Sequence, residues 1–245
     1  MSMNFLKTGK DAKEALATEK AKAAARKAGN RFYLTPDSDG IITFLDGKIT
    51  DDGIFDTPMY YEHDVRRSDG RKGSDQYVCV ASGDHGDQAC PLCQDGHNLA
   101  FVGVMTIIDH SVWKDKEGKE VKNRRRLFVY KRDNQGMLLA IAKEHGGSLT
   151  GCTFKVIRPE GQRTAKIGTI YTYKGKNSLE KIRKAFGDQA EILDYQKAVP
   201  YVEPAELRKM GFGAKDIVGS EGSPTAVVTD ESSGGEPEFN LEGLE

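Results

Sequence analysis

Between positions 79 and 97 the chain gathers three of its four cysteines and two of its five histidines, and no other stretch constrains the fold as strongly. Cys90 and Cys93 are separated only by Pro91 and Leu92. That spacing makes a tight knuckle that turns two thiolates toward one ion. Cys79, eleven residues before Cys90, supplies a third sulfur, and His63, His85 or His97 could supply a nitrogen. A Cys3His set is a closed tetrahedral zinc site, and such a site contributes folding free energy outright. The expected cofactor is therefore one structural Zn2+ on Cys79, Cys90, Cys93 and one histidine. Spacing leaves the three histidines even. His63 falls on an expected strand, where geometry is easily held, whereas His85 and His97 lie in loops nearer the cysteines. The rival for Cys90 and Cys93 is a thioredoxin-like redox pair, but that motif needs a βαβ setting. Here it follows turns and a β-prone segment. Cys152 reads as a core residue, and His110 and His145 as loop or surface residues without ligand partners.

The rest of the chain is that of a wet, modestly cored protein, with 38% hydrophobic and 30% charged residues over 245 positions. No run of 18 apolar residues offers a membrane span. The start, Met-Ser-Met-Asn-Phe-Leu-Lys, has no apolar signal core. A cytoplasmic protein is expected, in which thiols serve as ligands or core rather than disulfides. The net charge of −1 hides an asymmetry. Gly219 to Glu245 holds seven acids and no Lys or Arg; removing those seven from 37 leaves 30 acids against 36 bases, a surplus of six positive charges on residues 1–218. A basic body with an acidic tail suits a polyanion-binding domain whose tail competes for the same surface. A tail kept only for solubility has the same composition.

Three regions follow: a basic N-terminal arm (1–30), a core (31–210) and a flexible acidic tail (211–245). Lys7 to Ala28 is rich in Ala, Lys and Glu, a helix-favouring composition with only Leu16 to bury up to Lys27. From Arg31 the period becomes two. Phe32 and Leu34, the turn Pro36 to Gly40, and Ile41 to Leu45 read as a hairpin. Met59 to Val65 is a strand carrying Tyr60 and Tyr61, followed by the basic loop Arg66, Arg67, Arg71 and Lys72. Gln76 to Val80 is a short strand that delivers Cys79. Ala100 to Ile108 is almost wholly apolar, as in a central strand buried on both faces. Ser111 to Gly118 reads as a loop holding the single tryptophan, Trp113. Met137 to His145 is a helix ended by Gly146-Gly147, and Thr153 to Arg158 and Lys166 to Lys174 are strands. Ser178 caps a helix that stops at Gly187, and Pro204 opens one that runs to Met210. At least six short strands with helices gathered after the last suit a small closed or partly open β-barrel such as an OB-fold.

The strand Arg124 to Arg132 carries the functional expectation. Period two sets Leu127 and Val129 on one face, and Arg124, Arg126, Phe128, Tyr130 and Arg132 on the other. A protected edge strand needs charge but not rings between the arginines. Single-strand binders combine a basic groove with aromatic platforms. Phe128, Tyr130, Tyr171 and Tyr173 are therefore candidate platforms, with Lys166 and Lys174 flanking the last two. Trp113, Tyr60 and Tyr61 are weaker candidates, and Arg66, Arg67, Arg71 and Lys72 are further phosphate contacts. No P-loop, Gly-x-Ser-x-Gly or His-Glu-x-x-His occurs, and an enzyme is not expected.

The segment His85-Gly86-Asp87-Gln88-Ala89-Cys90-Pro91-Leu92-Cys93-Gln94, with Cys79 upstream, resembles the zinc knuckle of the bacteriophage single-stranded DNA-binding proteins of the T-even helix-destabilising type. Ile41 to Leu45 is similar to the strand before that site, and the order of arm, core and acidic tail also matches. The likeness is specific over about residues 31–130. It implies a zinc-bearing OB-fold that coats single-stranded DNA in replication, recombination and repair, with the zinc histidine upstream of the first cysteine. By position that histidine is His63, with His85 second. It also implies cooperative contact between neighbouring protomers through the arm, and recruitment of replication and recombination proteins through the tail. Phe239, Leu241 and Leu244 stand there among acids. The other reading of the chain is a zinc-ribbon protein-interaction module of a replication or transcription complex.

Overall fold

The computed structural model describes residues 31–66, 74–82, 90–114, 118–161, 166–199 and 201–213, with Gly9, Lys10, Ala12, Lys13 and Leu16 before them. Those five N-terminal residues are helical, and the rest of the expected arm, with the acidic segment beyond Gly213, lies outside the described residues. Nine strands follow in order: β1 (Ser38–Phe44), β2 (Met59–Arg66), β3 (Ser74–Val78), β4 (Leu99–Asp109), β5 (Trp113–Lys114), β6 (Glu120–Val121), β7 (Arg124–Lys131), β8 (Cys152–Arg158) and β9 (Ile170–Lys176). The α-helices are α1 (Pro91–Gln94), α2 (Arg132–Glu144), α3 (Leu179–Phe186), α4 (Tyr195–Ala198) and α5 (Pro204–Lys209).

Seven strands make one antiparallel sheet, bonded in the order β3-β2-β4-β1-β8-β9, with β7 along the other side of β4. The 11-residue β4 organises it. Its first half pairs with β2 (His63 opposite Leu99, Met59 opposite Gly103), and its end pairs with β1 (Phe44 opposite Ile107). From Val102 to Asp109 it is buried throughout, as a near-continuous apolar run requires. The main core lies where Ile42, Phe44, Met105, Ile107, Phe128, Tyr130, Phe154 and Val156 meet Leu138 and Ala142 of α2. Helix α3 begins as its sequence dictates, with the Ser178 hydroxyl accepting from the Lys181 N–H at 3.3 Å. It ends at Gly187, whose φ of 53° favours glycine.

Four expectations are corrected. The sheet is not closed into a barrel: among the described residues β3 and β9 each pair on one side only. Arg31 to Leu34 makes no hairpin with β1, whose partners are β4 and β8. Instead this extended segment runs from the free side of β7 to the chain before β9: the Phe32 N–H donates to the Leu127 carbonyl at 2.8 Å, and the Leu34 N–H to the Lys166 carbonyl at 2.7 Å. Trp113 does not sit in a plain loop but in a two-stranded ribbon, opposite Val121. The strand expected from Lys166 begins at Ile170, because Gly168, at φ 80°, turns the chain there. A Cβ at Gly168 would stand 2.4 Å from Val156 Cγ1. No helix among the described residues is long and apolar enough to cross a membrane.

Candidate metal centre

Four side chains converge beside the β2–β3 pair: His63, Cys79, Cys90 and Cys93, with their ligand atoms all within 4.8 Å of one another. Register brings the first two together. Cys79 donates its N–H to the Tyr61 carbonyl at 2.8 Å, and Tyr77 lies opposite His63, so His63 and Cys79 are diagonal neighbours on one face. The other two come from the knuckle. Cys90 is the N-cap of α1, Pro91 fills the first helical position, and the Gln94 N–H returns to the Cys90 carbonyl at 3.2 Å. One turn of helix thus aims Cys90 and Cys93 at the same point. His63, Cys79 and Cys90 are 0–3% exposed, while Cys93 is more open.

The distances fit one tetrahedral ion. Ligands at about 2.3 Å for sulfur and 2.0–2.1 Å for nitrogen define edges of about 3.8 Å between sulfurs and about 3.5 Å from sulfur to nitrogen. The observed edges are 3.6 Å from Cys79 Sγ to Cys93 Sγ, and 3.5 and 3.4 Å from His63 Nε2 to Cys90 and Cys93 Sγ. On its far side His63 Nδ1 lies 3.2 Å from the His97 carbonyl, which fixes the ring with Nδ1–H donating and Nε2 free to ligate. Burial holds the imidazole pKa below its ordinary value, the neutral form that a ligand needs. Burial opposes ionisation of the Cys90 thiol, but the N–H groups of Cys93, Val80 and Leu92 outweigh it and lower its pKa. Burial, and then the Cys79 and Cys90 sulfurs, push Cys93 up to about 12. Three thiols crowded together resist losing all their protons, and a bound cation reverses that logic. The cluster can hold one metal ion. His97 serves it through its carbonyl, and His85 lies outside the described residues.

The candidate nucleic-acid residues fall into different places. Phe128 and Tyr130 are 0% exposed and belong to the core, against the expectation that they share an outward face with the arginines. Phe128 stacks on Phe32 at 6.1 Å and meets Phe44 edge-on at 5.1 Å. The cause is that β7 is no edge strand: β4 flanks it on one side and the Phe32 segment on the other. The aromatic volume therefore fills the interior. Gly103, opposite Tyr130, was the available signal, since a Cβ there would stand 2.2 Å from the ring. Arg124 and Arg126 are half-buried on the same sheet face near the Asp109 end, where Asp109 Oδ2 stands 2.9 Å from Arg126 Nε and 3.9 Å from Arg124. The Arg124 guanidinium also lies 3.8 Å over the Trp113 ring. Arg132 is exposed at the start of α2 rather than on the strand.

Tyr171 is half-buried against Phe154 and gives its hydroxyl to the Ile167 carbonyl at 3.0 Å, whereas Tyr173 is exposed and stacks on His145 at 4.2 Å. Lys166, Lys174 and Arg66 are exposed. Arg67, Arg71 and Lys72 lie outside the described residues. Tyr60 is tied to Arg31 and Glu62, and Tyr61 packs on Phe101 at 4.7 Å with 40% of its surface open. Cys152 is buried as expected.

Two polar networks carried no sequence signal. His110 bridges Thr43 Oγ1 and Asn123 Oδ1, each at 2.8 Å. Asp46 accepts from the Thr106 N–H at 2.9 Å and from the Tyr195 hydroxyl. No protein-family model matches this chain, and a search of curated proteins finds no match.

Proposed function

We propose that the protein binds single-stranded DNA without sequence preference, and that the Cys3His cluster holds one structural Zn2+. The donor set supports zinc: three thiolates and an imidazole are soft-to-borderline ligands in tetrahedral array, with no protein position left open for substrate. The zinc fastens the knuckle, and binding happens elsewhere. The sheet, left open, with Arg31 to Leu34 joining β7 to the chain before β9, is read as a partly open OB-type barrel.

The observation that carries the DNA reading is the pair Arg124–Trp113. Trp113 keeps 37% of its surface open while a guanidinium covers one side of it at 3.8 Å. Arg126 stands beside Arg124, and both arginines reach the carboxylate of Asp109. A ring with an open side next to two guanidinium groups offers stacking for a base and a partner for its phosphate. Tyr173 on His145 and Tyr61 on Phe101 are further half-open platforms. The basic balance of residues 1–218 and the likeness of residues 85–94 to the phage knuckle point the same way. On this reading the acidic tail recruits replication and recombination proteins and screens the groove.

Trp113 is the only tryptophan, so its emission reports on its own site. Titration with oligo-dT is expected to quench it saturably and more tightly than duplex of equal length. Log affinity should fall against log salt with a slope near −0.7 per phosphate neutralised. Unquenched emission with equal duplex affinity would sink the proposal in favour of a protein-interaction module, and salt-insensitive binding would remove its electrostatic part.

A further inference from the structure

Residues 201–213 belong by composition to the end of the core and the start of a tail, yet they pack on the knuckle and not on the main core. Val202 and Leu207 are buried at 4% and 0% exposure in a cluster with Val65, Tyr77, Leu92 and the Cys79 and Cys90 thiols. Helix α5 lies against α1. Phe212 meets Tyr77 and His97 edge-on, each at 5.8 Å between ring centres. The Gly213 N–H donates to Asp95 Oδ2 at 2.8 Å. A Cβ at Gly213 would come within 2.9 Å of Pro91 Cβ, so only glycine lets the chain pass this close.

Three of the residues so contacted, Pro91, Asp95 and His97, help to place a ligand. Pro91 and Asp95 flank the helical turn that aims Cys90 and Cys93, and His97 supplies the carbonyl that orients His63. The strap cannot hold itself, since its one helix has six residues, far below the length at which isolated helices persist. Nor can the small cluster beneath it, whose buried members include two thiols, hold its shape by apolar burial alone.

We propose that the metal knuckle clasps residues 201–213, so that metal occupancy and attachment of this C-terminal strap are a single linked equilibrium. Linkage makes the dependence mutual: the metal holds the strap, and the strap slows loss of the metal. The chain that continues past Gly213 toward the acidic segment Gly219 to Glu245 then starts from the knuckle only while metal is bound. The strap residues act on the metal by positioning its ligands, not by contact with it.

The test uses the full chain loaded with Zn2+ alone, followed by hydrogen exchange before and after an excess of chelator. On chelation the amides of Leu207, Met210 and Phe212 are expected to lose protection together with those of Gln94 to His97, while Phe154 and Val156 of β8 stay protected. Strap amides that remain protected without metal would overturn the proposal. So would loss of β8 protection in the same step, which would make the metal a staple of the whole fold. A chain that takes up no Zn2+ fails it at the outset. In the reciprocal experiment Phe212→Ala should speed Zn2+ transfer to a chromophoric chelator about tenfold or more, with β8 exchange unchanged. An unaltered transfer rate would also overturn it.

Discussion

The β-body and the knuckle solve the same problem with different materials. Among the described residues the body's core has sixteen buried members, dominated by large aromatic and aliphatic side chains. The knuckle's core has eight, and two of those are thiols. Burial at roughly 25 cal/mol per Å2 stabilises the first on its own, whereas the second buries far less, and on the proposal above coordination makes up the difference. The body is therefore robust to solutes and sensitive to side-chain volume. The knuckle, if it holds the proposed metal, depends first on four ligand atoms.

The largest break in that comparison is removal of a ligand. Cys90 is 0% exposed and presents its thiol to the cluster from the cap of α1. Binding of structural zinc is worth on the order of 10–16 kcal/mol in small zinc domains. Cys90→Ser is expected to drop bound zinc from one equivalent to near none by atomic absorption and to unfold the knuckle locally. The β8–β1 pairing should keep its exchange protection. Retention of a full equivalent of zinc would show that the cluster is not the site.

The second break is on the other side. Phe128→Ala leaves a cavity among Phe32, Phe44 and their neighbours, a change that costs about 3–5 kcal/mol in a core of ordinary packing. Chemical denaturation should show that loss in the midpoint while zinc content stays at one equivalent. Were Phe128 instead a base-stacking platform, the variant would keep its stability and lose affinity for oligo-dT.

That residue also marks where sequence reading stops. The apolar run of β4 could be read because a strand buried on both faces needs no alternation, and α3 because Ser178 and Gly187 mark both ends. The knuckle could be read because metal chemistry fixes residue types and spacing. Alternation on β7 misled because it says which residues share a face but not which face is inward. Leu127 is buried too, at 1% exposure, so neither set is cleanly outside. What decides is pairing: Gly103 across from Tyr130, and Phe32 lying on the far side, contacts made by residues 27 and 96 positions away in the chain. The choice among His63, His85 and His97 had the same origin. Only the β2–β3 register sets His63 beside Cys79. The clasp by residues 201–213 likewise depends on contacts more than 100 residues distant, such as Gly213 to Asp95.

The finest distinction between the two regions is the sign of their response to pH. Metal binding needs deprotonated thiols, so acid weakens the knuckle. The body contains a group with the opposite sign. Burial raises the pKa of Asp46 from 3.8 to about 6, against the hydrogen bonds from Tyr195 and Thr106 that favour its charged form. A carboxyl whose folded pKa lies above its unfolded one binds more protons when folded. Its stabilising contribution is therefore complete below about pH 4 and is lost as pH rises through 6. A rise from 3.8 to about 6 corresponds to about 3 kcal/mol. Asp46→Asn keeps an oxygen for the Thr106 N–H and an amide that can donate to the Tyr195 oxygen, and it does not titrate. Relative to wild type, the variant should gain stability between pH 4 and pH 7.5 by an amount of that order. Urea midpoints at the two pH values would read it, with both proteins stripped of metal so that the knuckle cancels. A difference that stays constant across the window would mean that Asp46 is solvated in the folded state, and the body would then have no acid-favoured term to set against the knuckle.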